Sequence, residues 1–140
     1  MKRLTALVLV VATIVLPGCG KREVPRHPVR GQVFYRNQPL REAQVAFHCA
    51  DGSPQADSKP IAVTDSEGRF QLTTLKQGDG APLGEYAITI ELRELVTVGE
   101  EQVRNGRSLL PERYRVAEKS GLRFRVEKGE NQVPRIDVTD

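Results

Sequence analysis

His48 and Cys49 are adjacent, and imidazole with thiolate is a common zinc-binding pair. Val45, Phe47 and Cys49 alternate with Gln44, Ala46 and His48 at the two-residue period of a strand. The two side chains therefore point to opposite faces and cannot chelate one metal together. Asp65 and Glu67, ahead of Gly68, begin as a calcium loop begins. Such a loop needs further oxygen ligands at alternate positions and a bidentate acid at about the twelfth, whereas Arg69, Phe70 and Gln71 come next here. The stretch reads instead as a tight turn, in which Asp65 accepts backbone N–H groups and Gly68 supplies a positive φ. Gly78, Gly80 and Gly84 invite comparison with a phosphate cradle, which gathers its amides at a helix N-terminus. After Gly84 come Tyr86, Ile88, Ile90 and Leu92 at period two, so Gly84 opens a strand.

Two further groups remain. Glu100 and Glu101 are neighbours in a polar stretch that reads as a solvated loop, with nothing to poise them as acid and base. Arg123 and Arg125 share the outward face of one strand, with Arg113 and Arg115 shortly before. These four arginines are a candidate surface for an anionic polysaccharide or lipid headgroup, and equally an ordinary charged face that guards strand edges. There is no Gly-x-Ser-x-Gly and no metal-spaced histidine cluster, and with His48 and Cys49 on opposite faces no histidine stands beside a plausible nucleophile. Catalytic residues, metals and cofactors are accordingly not expected.

The elements that must position these residues are strands. Val29 to Tyr35 gives the first, with Val29, Gly31, Val33 and Tyr35 inward, and Asn37 to Leu40 a turn. Ala43 to Cys49 gives the second. Ile61 and Val63, the turn at Asp65, and Phe70 and Leu72 predict a β-hairpin with one buried face. Gly84 to Arg93 is the longest period-two stretch and predicts a central strand, ending or bulging between Arg93 and Leu95. Residues 97–119 form a polar excursion in which Pro111 could start one helical turn that lays Tyr114 on the core. Leu122, Phe124 and Val126, then Val133, Ile136 and Val138, predict a closing hairpin whose last strand, with Pro134 unable to donate to a ladder, is an edge or carries a bulge there. Together these predict an all-β chain, a single antiparallel β-sandwich of about seven strands.

The first 16 residues do not fit that pattern. Lys2 and Arg3 precede an apolar run from Leu4 to Leu16 that is short for a membrane span, the form of a secretory signal peptide. Leu16-Pro17-Gly18-Cys19 resembles a bacterial lipobox. The resemblance implies cleavage before Cys19, diacylglyceryl transfer to its sulfur and acylation of the new amino terminus, a palmitate-type membrane anchor. Cys49 is then left as a reduced core residue, with a Cys19 to Cys49 disulfide as the alternative. Loss of Lys2 and Arg3 takes the formal charge from +3 to +1, so the basic pI is no argument for nucleic acid. The expected organisation is a lipoprotein signal peptide over 1–18, a lipidated stalk over 19–28 containing a solvated His27, and one domain over 29–140.

The ordered series Val29-Arg30-Gly31-Gln32-Val33, Pro39-Leu40, Ala43-Gln44-Val45-Ala46-Phe47, Thr64-Asp65 with Gly68-Arg69-Phe70, Gly84-Glu85-Tyr86, Leu110-Pro111 with Tyr114, and Ser120-Gly121-Leu122 with Gly129 and Asn131 resembles the carboxypeptidase-regulatory-like, transthyretin-like domain. More narrowly, it is similar to small planctomycete lipoproteins with one such domain behind a lipobox. The resemblance implies a seven-stranded Greek-key sandwich in the cell envelope, on the periplasmic side or cell surface. It does not imply an activity, such domains commonly acting as accessory or binding modules, and the expected partner is an unknown envelope protein or polysaccharide. Hydroxyisourate hydrolases of the transthyretin-related group end in Tyr-Arg-Gly-Ser, whereas this chain ends Ile136-Asp137-Val138-Thr139-Asp140. Gly20 after the lipidated cysteine, in place of a retaining Asp, points toward the outer membrane.

Overall fold

The computed structural model describes residues 23–51 and 59–140; the expected signal segment, Cys19 and part of the polar loop lie outside the described residues. The chain is an all-β sandwich. One sheet has four antiparallel strands, in the order β11 (Arg123–Val126), β8 (Gly84–Glu91), β4 (Gln44–Cys49) and β5 (Ile61–Val63). The other is built around β2 (Val29–Tyr35). Along one edge of β2 run β6 (Arg69–Gln71) and β3 (Gln38–Pro39), antiparallel to it. Along its opposite edge run β12 (Asn131–Gln132) and β13 (Ile136–Val138), both parallel to it.

The two-residue period decides which side chains meet between the sheets. Val29 and Val33 from β2, Val45 and Phe47 from β4, Phe70 from β6, and Tyr86, Ile88 and Ile90 from β8 are all buried in one cluster. Phe47 sits at its centre, tilted against Tyr86 at 5.7 Å and edge-on to Phe70 and Phe124 at 6.4 and 6.3 Å. Such offset and edge arrangements set the positive ring edge against the negative face. The Tyr86 hydroxyl donates to the Pro82 carbonyl at 2.9 Å. Burial pushes its phenol up to about 12.

Several expectations are corrected. The turn at Asp65 forms as expected, but its arms do not pair as a hairpin. β5 joins β4 in one sheet and β6 joins β2 in the other, leaving a single bridge between Ile61 and Thr73. Thr64 explains the split. Its N–H donates to the Ala43 carbonyl and its hydroxyl accepts the Ala43 N–H, both at 2.9 Å, which holds the first arm on the strand before it. The register also differs by one residue, which exchanges the faces. Ala62 is buried, while Ile61 and Val63 are exposed.

The expected closing hairpin is likewise divided, because β11 pairs with β8 and β13 with β2. The last strand is an edge, as expected: β13 pairs with β2 and with no other strand among the described residues, and Pro134 falls between β12 and β13. Residues expected as an irregular excursion instead form an ordered two-stranded ribbon, β9 (Arg93–Val98) against β10 (Glu101–Ser108). Pro111 does cap a single 3-10 turn, Glu112–Arg115, and Tyr114 is buried by it.

Part of the stalk is also structured. β1 (Arg26–His27) pairs with β7 (Ala81–Pro82), and the His27 Nδ1 accepts the Gly129 N–H at 3.1 Å. His27 is therefore half-buried rather than solvated.

Candidate functional site

Each side chain singled out by sequence within the described residues has a definite place. Asp65 Oδ1 accepts the N–H groups of Glu67 and Arg69, both at 2.9 Å. Gly68 has φ +74° and Gly84 φ +146°. All three therefore shape turns and strand starts. Cys49 is half-buried against the core, and its thiol donates to Asp51 Oδ1 at 2.8 Å. His48 faces the other side, where its Nε2 lies 2.8 Å from the Thr89 hydroxyl. Desolvation and then the nearby Lys59 charge lower the His48 pKa below the usual imidazole value. That outward face is less open than its strand period suggests, since Ala46, Ala87 and Thr89 are buried there. Ala117, Glu118 and Arg123 line a hollow beside His48, so the segment after the 3-10 turn covers part of the sheet.

The four arginines do not converge. Arg123 and Arg125 stand side by side on β11, exposed. Arg123 donates to the Ala117 carbonyl at 3.2 Å, and Arg125 pairs with Glu85 at 3.2 Å. Arg113 lies elsewhere, 4.7 Å over the Tyr114 ring and donating to the Thr139 carbonyl at 2.6 Å. Arg115 stands 3.8 Å from both Glu91 and Glu112. Burial alone would raise the Tyr114 phenol, but hydrogen bonds with Thr139 and Arg113 bring it below its ordinary value. These cations thus serve the sandwich itself, two of them tying the 3-10 turn to its neighbours.

A different surface gathers the polar groups. The outer face of the β2 sheet carries a hollow of about 490 Å³, open to solvent and lined by Arg30, Gln32, Arg69, Gln71, Gln77 and Gln132 among others. Strand register sets its geometry. Arg30 lies opposite Gln71 on β6 and opposite Gln132 on β12, while Gln32 lies opposite Arg69. Adjacent strands are about 4.8 Å apart, so Gln71, Arg30 and Gln132 form a row across the sheet. A second hollow of about 280 Å³ shares Arg30 and Gln132 and extends the surface past Asn131 and Glu130.

The amides of this face are held by backbone carbonyls. Gln32 donates to Glu67 at 2.7 Å, Gln71 to Gly78 at 3.2 Å and Gln132 to Val133 at 3.4 Å. One N–H of each is committed, which leaves a carbonyl oxygen and a second N–H to meet a ligand. Arg69 is engaged by Asp65 at 3.4 Å and by Glu67. Arg30 makes no side-chain hydrogen bond or ion pair among the described residues. No sequence motif marks this groove, because outward polar residues on three separate strands look like any solvated face. The available signal is that Arg30, Gln32, Arg69, Gln71 and Gln132 are all amide or guanidinium at outward strand positions.

Chemically the groove can bind and orient. Among the described residues its lining holds no histidine, cysteine or serine, and its acid, Asp65, is occupied with the turn amides. Among the described residues no three His, Cys, Asp or Glu side chains gather as a metal site.

No family model matches the sequence, and no curated protein does. Three solved structures show distant likenesses. A DUF3823 family protein from Parabacteroides merdae superposes with a TM-score of 0.44 and 18% identity, over 84% of this chain and 47% of that one. This chain thus spans about half the length of that neighbour. A candidate carbohydrate binding protein from Pseudomonas aeruginosa gives 0.44 and 16%, over 84% of this chain and 90% of that one. A 9R-lipoxygenase from Cyanothece gives 0.45 and 15%, over 81% of this chain and 16% of that one. At these scores the similarity assigns neither family nor function to this chain.

Proposed function

We propose that this chain is a lipid-anchored, non-catalytic module of the cell envelope that binds a hydroxyl-rich, acidic polymer along the outer face of the β2 sheet. The carrying observation is the row of Gln71, Arg30 and Gln132, pre-positioned by strand register, with one guanidinium left unpartnered among the described residues. Amides that both donate and accept suit sugar hydroxyls, and a guanidinium suits a carboxylate. An open groove continuing past Arg30 suits a strand of polymer better than an enclosed small molecule. The lipobox at Leu16 to Cys19 and the likeness to carboxypeptidase-regulatory-like lipoproteins support the envelope location.

The binding test uses the full chain in detergent and polygalacturonate as the probe. Arg30→Ser combined with Gln132→Ala should lower retention about tenfold, the loss of roughly 1.4 kcal/mol, with an unchanged melting temperature. Arg123→Ser combined with Arg125→Ser should retain the polymer as the parent does. The reverse result would move the site to β11, where an anionic polysaccharide or lipid headgroup would then dock. Loss in neither variant would overturn polymer binding by both faces.

The anchor has its own test. Protein from native membranes should have an intact mass equal to residues 19–140 plus acyl chains, and a Cys19→Ser variant should lose that mass. A mature mass without lipid would make the chain a soluble secreted domain.

A further inference from the structure

Val24, Leu75 and Leu83 are exposed apolar side chains, at 39%, 64% and 48% of their full surface. They are far apart in sequence, yet the fold ties them to one corner. Val24 lies two residues before Arg26, the first residue of β1. Leu83 directly follows β7, whose Pro82 is the register partner of Arg26. The Leu75 N–H donates to Asp79 Oδ2 at 3.2 Å, and the same carboxylate oxygen takes the Arg26 Nε at 2.7 Å. That ion pair is well covered, with 12% and 15% of the two side chains exposed. Burial alone would raise the Asp79 carboxyl, but the amides of Thr74, Lys76 and Leu75 and the Arg26 charge hold it below the usual range. The corner is therefore a fixed platform carrying three outward apolar groups.

We infer that this corner is the face the domain turns to the lipid bilayer, an inference that rests on the anchor reading above. Glu23 stands only four residues after Cys19. At ~3.5 Å per residue that length reaches ~14 Å at most, so an acylated Cys19 keeps Glu23 within that distance of the membrane surface. Val24 and β1 come next. Exposed Lys76 sits beside Leu75 at the corner, and by sequence alone the stretch from Cys19 to Glu23 carries two cations and one acid, a positive balance that suits anionic headgroups. Apolar groups rimmed by charge, a few residues from an acyl chain, match the interfacial zone in polarity. Lipid at Cys19 supplies the attachment, and the corner fixes which side of the sandwich faces the membrane.

The chain contains no tryptophan, so one introduced indole reports alone. Leu75→Trp, Leu83→Trp and, on the distant ribbon, Leu95→Trp are each prepared as full-length acylated protein. Each is reconstituted into phosphatidylethanolamine and phosphatidylglycerol vesicles, with or without brominated acyl chains. All three positions are surface sites, and a thermal melt confirms folding. In the Leu75→Trp and Leu83→Trp proteins, emission should move to shorter wavelength and fall at least twofold with brominated lipid. In the Leu95→Trp protein it should do neither. Vesicle-bound protein with unquenched indoles at 75 and 83, or equal quenching at 95, overturns the inference while leaving the anchor intact. Indoles shielded from a water-soluble quencher but untouched by bromine would place a second copy or another protein on the corner, and so overturn it too. A chain that fails to float with the vesicles overturns the anchor reading and this inference with it.

Discussion

Replacing Phe47 with alanine should remove about 3–5 kcal/mol of stability, the range for emptying a buried aromatic site. Native domains hold only about 5–15 kcal/mol in total, so the loss is a large share of the whole and the denaturation midpoint should fall well below the parent's. Phe47 has no exposed surface and touches rings from three other strands: Phe70 on β6, Tyr86 on β8 and Phe124 on β11. Those partners belong to both sheets, so the cavity would open at the join of the sandwich, where neither sheet can relax into it alone. Urea denaturation checks this, with Phe47→Leu as the graded control that keeps most of the volume. Equal midpoints for the alanine and leucine variants would show that this ring is not the centre of the core.

The second large effect is expected at Gly68. Its φ of +74° is a conformation that side-chain-bearing residues adopt at a cost of roughly 1–2 kcal/mol. Space adds to this, because a Cβ there would collide with the Val33 carbonyl oxygen. That atom is backbone, held in β2 and close to the Gly68 carbonyl, which accepts the Val33 N–H at 2.8 Å. Gly68→Ala should therefore cost about 2–4 kcal/mol, more than strain alone. Gly121→Ala separates the two terms, since Gly121 has a similar φ of +70° and a methyl group there would meet nothing within 4 Å. It should cost about 1 kcal/mol. Similar midpoint shifts for the two variants would mean that the turn yields and that the close approach to β2 does not matter.

The sequence made some of this visible and hid the rest for identifiable reasons. Tyr86, Ile88 and Ile90 lie at strict period two, and all three are buried. Asp65 with Gly68, and Pro111 with Tyr114, are local signals whose geometry is settled within a few residues, and both form. Pairing is not local. Nothing within Phe124 or Ile136 says that their strands lie in different sheets, since each partner lies far away in sequence. The ribbon was obscured because neither β9 nor β10 buries a full face, so the apolar alternation that marks a core strand is weak there. The candidate groove was obscured most. Its amides and guanidinium come from three strands, and only register places Arg30 between Gln71 and Gln132. The Arg123 and Arg125 pair was legible as a shared face, but Glu85 and the Ala117 carbonyl, which engage them, were not.

The parallel pairing of β2 with β13 has a mechanical consequence. The Cys19 side of the chain enters β2 at its start, and the chain leaves β13 at its end, with both strands running the same way. Tension between the two ends drags them past each other lengthwise, so their backbone hydrogen bonds resist together instead of opening one at a time like a zipper. β1, with two residues against β7, lies outside that arrangement and is the weaker joint. Pulling on the Cys19 side thus loosens this collar before the load reaches the sandwich.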